Sequence, residues 1–502
     1  MAQLVTIDGH TFAVEVSGGS DVRQTRHGVI LPAGRVAVLH GMSSPAEVYR
    51  HGQNSWSPCG WNPLDGPPLR IENDNRRVTA DDPVWDDPSG HHSSGVIALR
   101  GPDGMVLLLG ALGLDTPRLS ADTDTMSGWY ESPHAGWFLG YGQEAAVFDA
   151  YCDELVARFG RRHQRAGRVW CSWYAYYEDI DEQTLAKDLA DLGQLPFDVA
   201  QIDDGWEQMV GDWQPNDRFP SGMRALAERI TEAGLRPGLW IAPFVVRPQS
   251  RLASEHPELL LRDSDGAAVV AGYNWGGPYW ALDLSLDTAR DHVAETIRRV
   301  VHDWGFSYLK LDFINAGAAA GARQGADLGR EEAYRSALEL IREVAGEDAY
   351  LLGSGAIPIP SLGVLDAVRT GPDVAPLWDH YATSDPSDAL ARNAVVTAVH
   401  RLWQRPLIDL DPDVVYFRGR RSLLSPEQRQ ILQDLARVCG FIAVSDPPRW
   451  LDSDERAALV DYLNADPDVT RVSRYRFLIG EREVDFAPAV DPDRPPASYP
   501  VS

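Results

Sequence analysis

Two short segments of this chain carry paired charges of the kind that acid–base chemistry uses. The first is the run YLKLDF (308–313), in which Lys310 and Asp312 stand two residues apart among apolar side chains. Alternation along a strand puts both on one face. A buried apolar strand keeps opposite charges only where they are paired or used. The second segment is VRTGPD (368–373), an apolar run that ends in Arg369 and Asp373.

Two carboxylates presented from two strand ends, each beside a cation, are what glycoside hydrolysis requires. One attacks the sugar and the other protonates the leaving oxygen. We predict Asp312 as the nucleophile, which Lys310 would keep ionised. We predict Asp373 as the general acid and later the general base, a role that needs a raised pKa. The alternative is a purely structural pair of salt bridges, Lys310–Asp312 and Arg369–Asp373.

A third pair of carboxylates, Asp203 and Asp204, follows another apolar run in the segment IDDGW (202–206). Adjacent carboxylates can accept hydrogen bonds from two neighbouring sugar hydroxyls. They could instead hold a divalent metal, but the sequence offers no third ligand pattern. A helix N-cap with a solvated neighbour is a further alternative. We expect neither a metal nor a cofactor.

The composition limits the classes of partner. The 46 basic and 73 acidic residues leave a net charge of −27, which argues against nucleic-acid and anionic membrane partners. Sixteen tryptophans are many, and indole faces bind sugars, although most of them are expected in the core. The four cysteines form no CxxC motif, so neither a zinc site nor a disulfide framework is implied. The chain starts without a signal-peptide pattern and has no membrane-spanning run, so we expect a cytoplasmic protein.

The 502 residues are too many for one ordinary domain. Residues 1–160 show short alternating runs between turn residues, which predicts an N-terminal antiparallel β-sandwich. Within it, the polar and aromatic loop GQNSWSPCGW (52–61) is not patterned like a strand. We expect this loop, with Trp56, to contact either a ligand or a neighbouring domain.

From residue 161 to residue 450, strand patterns alternate with helical patterns. The predicted strands are 168–173, 198–202, 237–242, 308–312, 349–352, 364–369, 406–410 and 440–444. Eight such units predict a TIM (β/α)₈ barrel with its active site at the C-terminal ends of the strands. The residues expected there are Trp173, Tyr174, Asp203, Asp204, Trp240, Lys310, Asp312, Ser354, Arg369, Asp373, Asp409 and Asp411. The overall fold class is thus multidomain α/β.

Two further segments complete the chain. An insertion at 256–280 has a turn at Asp265-Gly266 and then an aromatic run that includes Trp275, which we expect to form part of the pocket wall. Residues 451–502 form a short C-terminal extension with one predicted helix, 454–463, and a few strand-like residues after it. We expect its Pro- and Asp-rich end to be disordered.

Five motifs, taken in order, resemble those of the α-galactosidases of glycoside hydrolase family 36. They are WCSWY (170–174), IDDGW (202–206), LWIAP (239–243), LKLD (309–312) and RTGPD (369–373). The loop QNSWS (53–57) resembles the Q-S-W-S segment in the N-terminal β-sandwich of that family. The resemblance spans residues 40–450. It implies hydrolysis of terminal, non-reducing α-galactosides by a retaining double displacement without a cofactor.

The resemblance also implies roles for individual residues. Asp312 would be the nucleophile and Asp373 the acid/base. The remaining roles are galactose 4- and 6-hydroxyl binding by Asp203 and Asp204, and a border to the sugar site formed by Trp56 and Trp240. The segment GSGAIP (353–358) departs from the family, because Ser354 stands where members commonly have a cysteine. That region lies near the sugar 2-substituent, so specificity at C2 stays open.

Several rivals remain at this point. The same chemistry could act on an α-N-acetylgalactosaminide or a β-L-arabinopyranoside, or transfer the sugar instead of hydrolysing it. Lys310 could form a Schiff base in an aldolase, although an ion-paired lysine stays protonated. The chain could also bind sugar without cleaving it. Aromatic loops of a neighbouring subunit could complete the pocket in a homo-oligomer. Retention predicts carboxyl groups about 5–5.5 Å apart, whereas about 9 Å would contradict it.

Overall fold

The computed structural model describes residues 2–42, 44–80, 90–132, 134–325, 327–382 and 385–490. Two antiparallel sheets come first in the chain. Their strands are β1 (Gln3–Ile7), β2 (His10–Val16), β3 (Arg23–Thr25), β4 (Gly28–Leu31), β5 (Val36–Leu39), β6 (Glu47–Arg50), β7 (Gly60–Pro63), β8 (His91–Ser94), β9 (Val96–Arg100), β10 (Met105–Ala111), β11 (Pro117–Ala121), β12 (Thr125–Tyr130) and β13 (Trp137–Gln143). One sheet has the order β1-β2-β5-β12-β11-β8 and the other β3-β4-β13-β10-β9-β6-β7. The prediction of a β-sandwich agrees with these two sheets.

Two helices flank the sandwich, α1 (Asp74–Ala80) and α2 (Glu144–Phe159). Strand β10 is buried along nearly its whole length because α2 packs on β10 and β13. The approach is close, since a Cβ on Gly110 would lie 2.4 Å from the ring of Tyr151 on α2. The Tyr151 hydroxyl donates to the Ala111 carbonyl at 2.8 Å. A glycine in β10 is therefore what lets the helix cover the sheet.

The second half of the chain is built on parallel strands. Its strands are β14 (Arg168–Cys171), β15 (Val199–Ile202), β16 (Arg236–Ile241), β17 (Val245–Val246), β18 (Val270–Asn274), β19 (Gly277–Ala281), β20 (Tyr308–Leu311), β21 (Tyr350–Gly353), β22 (Ala367–Arg369), β23 (Asp409–Asp411), β24 (Val414–Val415) and β25 (Ile442–Val444). Nine of them form one sheet in the order β23-β22-β21-β20-β16-β15-β14-β25-β24.

This sheet closes on itself through its ends. Strands β23 and β24 are separated only by residues 412–413 and together form a seventh barrel strand. The first part, β23, pairs in parallel with β22, and the second, β24, pairs in parallel with β25. Pro412 lies at the break, where it costs no ladder hydrogen bond. The eight predicted strands are each present within a few residues of their predicted bounds.

Helices connect these strands. They are α3 (Trp173–Tyr176), α4 (Glu182–Leu192), α5 (Gly222–Glu232), α6 (Arg251–Glu255), α7 (Asp287–Arg298), α8 (Arg330–Ala345), α9 (Pro358–Ser361), α10 (Ala391–Arg401) and α11 (Pro426–Cys439). Helix α11 shows why they begin and end where they do. Ser425 Oγ accepts from the Gln428 N–H at 3.2 Å, and Gln428 Oε1 accepts from the Ser425 N–H at 2.8 Å. Gly440, with φ +78°, ends the helix in the left-handed conformation.

The insertion after β16 holds a small sheet of order β17-β19-β18. The Asp265-Gly266 turn is present, with the Gly266 N–H donating to the Asp263 carbonyl at 3.1 Å. The β18–β19 hairpin follows, and Trp275 and Gly276 occupy its tip. Trp275 has φ +50°, which is uncommon for a bulky side chain. The aromatic run is therefore presented from a hairpin, and α1 of the sandwich packs against it.

The C-terminal extension contains more structure than the sequence suggested. Its elements are α12 (Ser453–Asn464), β26 (Val469–Arg471), β27 (Arg476–Ile479), β28 (Arg482–Asp485) and α13 (Ala487–Val490). The helix and a few strand-like residues were predicted, whereas the antiparallel sheet that the three strands form against α11 was not. The predicted disorder concerns residues 491–502, which lie outside the described residues. Across the described ranges, no helix has both the length and the apolar character needed to cross a membrane.

Candidate active site

A cavity of about 410 Å³ lies over the C-terminal ends of the barrel strands. Most of the predicted site residues line it, namely Trp56, Trp173, Asp203, Asp204, Trp240, Lys310, Asp312 and Asp373. Tyr273 and Asn274 also line it, and both belong to the aromatic run that was predicted to form part of the pocket wall. The lining residues that carried no prediction are Asn73, Asn75, Arg76, Thr79, Ala80, Phe313, Ser387 and Ala389. Several of these come from α1, whose polar residues form no recognisable motif.

Asp312 follows β20 directly and is held by two donors. Trp240 Nε1 donates to Asp312 Oδ2 at 2.9 Å, and the Phe313 N–H donates to Asp312 Oδ1 at 2.9 Å. The side chain keeps 10% of its surface exposed, and it lines the cavity. Donors to a carboxylate favour its ionised form. The Asp312 carboxylate is therefore fixed in orientation while one edge faces the space where a ligand would bind.

Lys310 has a different principal partner from the one predicted. Its Nζ lies 2.9 Å from Asp203 Oδ2 and 3.8 Å from Asp312 Oδ2. Burial opposes the charge, but the carboxylates of Asp203 and Asp312 raise the pKa of Lys310. The lysine is thus a buried ammonium shared between the two strand ends. The predicted Lys310–Asp312 contact exists as the longer of the two ion pairs.

The two adjacent aspartates have unlike surroundings. Asp203 Oδ2 accepts from Gln201 Nε2 at 2.6 Å as well as from Lys310. Asp204 Oδ2 accepts from Trp275 Nε1 at 2.7 Å, which explains how Trp275 reaches the site although it does not line the cavity. The Asp204 carboxyl also hydrogen-bonds the Glu207 carboxyl. Burial and then the charge of Glu207 raise the pKa of Asp204.

Glu207 was missed by the sequence reasoning. Its own pKa is raised by burial, and Gly205 N–H donates to its Oε2 at 3.3 Å. Two carboxyl groups in hydrogen-bonding contact must share a proton. The only signal was its place three residues after Asp204, beyond the IDDGW motif. The sequence alone gives no reason to expect that Glu207 turns back toward Asp204.

Asp373 lies in the loop after β22, two strands along the sheet from β20, and also lines the cavity. Arg369 Nη1 donates to Asp373 Oδ1 at 3.2 Å, and 36% of the Asp373 side chain is exposed. Burial, then the nearby charge of Asp413, raise the pKa of Asp373 to about 6, while Arg369 opposes them. Arg369 does not line the cavity and acts on it through Asp373. The predicted Arg369–Asp373 salt bridge is thus present, and the Asp373 carboxyl still takes up a proton at a higher pH than an ordinary aspartate.

An aromatic wall joins the sandwich to the barrel. The Trp56 and Phe313 rings stack with centroids 5.2 Å apart and an interplanar angle of 28°. Trp275 lies 5.1 Å from the same Phe313 ring. Phe313 has φ +52°, a conformation that costs on the order of 1–3 kcal/mol for a bulky residue. The N–H of the same residue donates to Asp312 Oδ1.

The loop that carries Trp56 is anchored from both sides. Asn54 Oδ1 accepts from the Trp56 N–H at 3.0 Å, and Arg401 Nη2 of helix α10 donates to the Asn54 carbonyl at 2.6 Å. Arg401 is buried and also donates to the Thr370 carbonyl at 3.0 Å. The expected contact of this loop with a neighbouring domain is therefore confirmed, and contact of Trp56 with a ligand stays a prediction. The loop packs between sandwich and barrel, and its Trp56 lines the cavity.

Ser354 does not line the cavity, and unlike Arg369 and Trp275 it does not bind a carboxyl group that lines it. It is 1% exposed, and its N–H donates to the Leu311 carbonyl at 2.8 Å. The next residue, Gly355, has φ +70°, and a Cβ there would lie 2.4 Å from the Trp56 ring. The indole thus packs on this loop. Among the described residues, no group of three or more His, Cys, Asp or Glu could hold a metal ion.

A family model described as Melibiase matches residues 138–348. Among curated proteins, α-galactosidase AgaA of Geobacillus stearothermophilus is 30% identical over 185 residues, 34% of this chain and 24% of that protein. Probable α-galactosidase C of Aspergillus oryzae is 31% identical over 163 residues, 29% of this chain and 21% of that protein. These matches therefore span a quarter or less of the curated relatives' own length.

Solved structures match over far more of the chain. AgaA from Geobacillus stearothermophilus, a family 36 α-galactosidase, is 16% identical with a TM-score of 0.59 and shares the fold over 90% of this chain and 67% of that one. TtGalA, an α-galactosidase from Thermus thermophilus, is 43% identical with a TM-score of 0.91. That match covers 97% of this chain and 100% of the other. With this identity over the whole of a solved relative, the chain belongs to the α-galactosidases of glycoside hydrolase family 36.

Proposed function

We propose that this chain hydrolyses terminal, non-reducing α-D-galactosides with retention, using Asp312 as nucleophile and Asp373 as acid/base. One observation carries the proposal: the two aspartates line one cavity in opposite electrostatic surroundings. Asp312 accepts two hydrogen bonds and faces the Lys310 ammonium. The pKa of Asp373 is raised to about 6 by burial and by Asp413. Such a difference suits one ionised nucleophile and one proton donor.

In the first step, an Asp312 oxygen attacks the anomeric carbon. The bond from that carbon to the glycosidic oxygen breaks while the bond to the aspartate forms. Asp373 gives its proton to the departing oxygen, so the aglycone leaves as a neutral alcohol. Trp240 and the Phe313 N–H keep the attacking carboxylate from rotating, since each holds one of its two oxygens. The product is a covalent galactosyl-enzyme with inverted configuration.

In the second step, water reverses this displacement. The Asp373 carboxylate removes a proton from a water molecule, which attacks the anomeric carbon and releases Asp312. Two inversions give galactose with its original α configuration. Asp373 regains the proton that it lost in the first step, and Asp312 is again ionised. No redox change and no further reactant is needed.

The residues around the nucleophile would hold the sugar. Asp203 and Asp204 would receive the 4- and 6-hydroxyls, and the Lys310 ammonium, held between Asp203 and Asp312, would donate to a hydroxyl. Trp56, Trp173 and Trp240 would form the apolar faces of the pocket. All of these lining side chains are contributed by loops or strand ends that face the cavity. TtGalA was solved with p-nitrophenyl α-D-galactopyranoside and with stachyose, which supports both aryl galactosides and galactosyl oligosaccharides as substrates here.

The Schiff-base alternative is disfavoured. A lysine attacks a carbonyl as the neutral amine, whereas the ion pairs with Asp203 and Asp312 raise the pKa of Lys310. Discrimination between sugars that differ in the substituent on C2 was linked to Ser354. This residue is buried, and the Trp56 ring packs on its loop, so Ser354 is not at the cavity wall.

We infer three domains: the sandwich at 1–160, the barrel at 161–450 and the extension at 451–502. The cytoplasmic location stays a prediction.

Release of nitrophenol from aryl glycosides tests the proposal. The panel is the α-galactoside, the α-N-acetylgalactosaminide, the β-L-arabinopyranoside and the α-glucoside. We expect turnover of the α-galactoside that falls at least about 1,000-fold in Asp312→Asn. Asp198→Asn, which changes an aspartate outside the cavity, is the control and should keep its activity. Turnover that survives in Asp312→Asn would overturn the assignment of the nucleophile, and turnover of another glycoside alone would overturn the sugar.

A further inference from the structure

Arg369 is shared by three carboxylates, and two of them take no part in the proposed reaction. Its Nη1 lies 3.2 Å from Asp373 Oδ1 and 3.0 Å from Asp413 Oδ2, and its Nε donates to Asp411 Oδ2 at 2.8 Å. One guanidinium offsets one negative charge. If all three carboxyls ionised, the cluster would carry an excess of two negative charges in a buried site. Among the described residues, Asp373 accepts from Arg369 alone, whereas Asp411 and Asp413 accept from further donors, so Asp373 is the carboxyl whose charge is stabilised least by hydrogen bonds.

Asp413 is placed beside Arg369 by the break in the seventh barrel strand. It follows Pro412 and has φ +75°, a left-handed conformation that aspartate tolerates better than most residues. Its N–H donates to Asp411 Oδ1 at 2.8 Å, and its own Oδ1 accepts from the Val414 N–H at 2.9 Å. Alternation along a strand already puts residues 411 and 413 on one face, and the left-handed turn at the break brings the Asp413 N–H onto the Asp411 carboxylate as well.

The other Asp413 oxygen is bound next to the acid/base residue itself. Oδ2 accepts from the Val374 N–H at 2.9 Å and from the Tyr174 hydroxyl. Val374 directly follows Asp373 in the chain. The Asp413 side chain is 1% exposed, and with Arg369 it has four donors in total. Asp413 is thus a fixed, buried anion that also fixes the backbone on which Asp373 stands.

We propose that Asp413 is a positioning residue whose fixed negative charge, acting beside and through Arg369, sets the pH at which Asp373 holds the proton that the leaving group takes. The inference rests on the proposed function. It explains why a carboxyl in contact with an arginine can still act as an acid. An arginine with no other partner would keep Asp373 ionised. Because the charge of Arg369 is already offset by Asp411 and Asp413, it lowers the pKa of Asp373 less.

The other groups around Asp373 act in both directions. Lys310 lowers the pKa of Asp373, and Asp312 raises it. The Tyr174 and Tyr177 hydroxyls, from α3 and the turn that follows, also face it and are neutral near pH 7, because burial raises their pKa values. Burial is the largest cause of the raised pKa of Asp373, and Asp413 is the largest charge that adds to it. Asp413 is therefore the residue to change.

The test compares the pH dependence of kcat/KM for phenyl α-galactoside, whose leaving group needs a proton. We expect the basic limb of Asp413→Asn to move to lower pH by roughly one unit. Asp413→Glu, which keeps the charge, should restore the limb. Asp409→Asn is a matched control, since Asp409 lies on the same strand but pairs with Arg165. With 2,4-dinitrophenyl α-galactoside, which leaves without a proton, the difference between wild type and Asp413→Asn should largely vanish.

A folded Asp413→Asn protein with the wild-type basic limb would overturn the proposal, as would an equal shift in Asp409→Asn. If Asp413→Asn does not fold, the carbonyl-stretch infrared difference between wild type and Asp373→Asn is titrated instead. A midpoint near 6 supports the proposal, and a midpoint at the unperturbed value of about 4 overturns it. This titration needs no turnover. It therefore still measures the pKa of Asp373 if the wild type cleaves no galactoside. That outcome would overturn the proposed function alone.

Discussion

The Lys310 Nζ lies nearer to Asp203 Oδ2, at 2.9 Å, than to Asp312 Oδ2, at 3.8 Å. The ammonium thus links the proposed sugar-binding carboxylate on one strand to the proposed nucleophile on another. Its charge is balanced first by Asp203, and Asp312 keeps its free edge toward the cavity. A contact between Lys310 and Asp312 alone would instead have covered the attacking carboxylate.

Replacement of Lys310 by methionine should harm both stability and catalysis. Removing one partner of a buried pair leaves an uncompensated charge on Asp203, which costs about 3–5 kcal/mol of unfolding free energy. We expect a loss of at least about 100-fold in kcat/KM for nitrophenyl α-galactoside. Thermal unfolding and kinetics are measured on the same sample. Lys187→Met, at an exposed position, is the control, and equal behaviour of the two variants would contradict the shared-ammonium arrangement.

The anomer of galactosyl azide that each glycine variant forms should show that the two aspartates act on opposite faces of the sugar. In Asp312→Gly, azide can occupy the space of the nucleophile and should give β-galactosyl azide from an activated α-galactoside. In Asp373→Gly, azide replaces the water that attacks the galactosyl-enzyme and should give α-galactosyl azide. Proton NMR of the products distinguishes the anomers. The same anomer from both variants would show that one assignment is wrong.

Gly355→Ala should disturb the aromatic wall. The new Cβ would lie 2.4 Å from the Trp56 ring, so the indole must move off Phe313. We expect about a 10-fold rise in KM as well as a loss of stability. Gly266→Ala is a matched control because Gly266 also has positive φ, at +81°, but no atom lies within 4 Å of the added Cβ. A comparable KM in both variants would mean that Trp56 does not contact the substrate.

Glu207→Gln should make the protein more resistant to alkaline destabilisation. Burial raises the pKa of both Asp204 and Glu207, and the charge of Glu207 raises the pKa of Asp204 further. A raised carboxyl pKa means that stability is greatest at low pH and is lost as the pH rises through the folded-state value. The glutamine removes one of the two charges that repel each other. Its Tm advantage over wild type should therefore grow between pH 4 and pH 9, while Glu228→Gln, at an exposed position, should show no such trend.

The positions of the barrel strands could be predicted because each is a short apolar run followed by polar residues. Asp203, Lys310 and Asp312 were found for the same reason, since strand ends in a barrel converge on one face. Glu207 and Asp413 could not be found in this way. Glu207 depends on a loop that turns back, and Asp413 depends on a break after Pro412 that no periodicity announces. Ser354 was misplaced relative to the cavity because Trp56, about 300 residues away in the sequence, packs on its loop.

Arg401 donates to the carbonyl of Asn54 in the sandwich loop and to that of Thr370 in the barrel. Every carboxylate of the proposed reaction belongs to the barrel, whereas Trp56 and helix α1 come from the sandwich. The reacting carboxyl groups and the sandwich residues that cover them are thus encoded in separate stretches of sequence, and the buried Arg401 hydrogen-bonds to both. Recombination between relatives at the end of α2 would exchange the sandwich, with Trp56 and α1, as a unit. It would change the preferred aglycone while the reacting groups stay as they are.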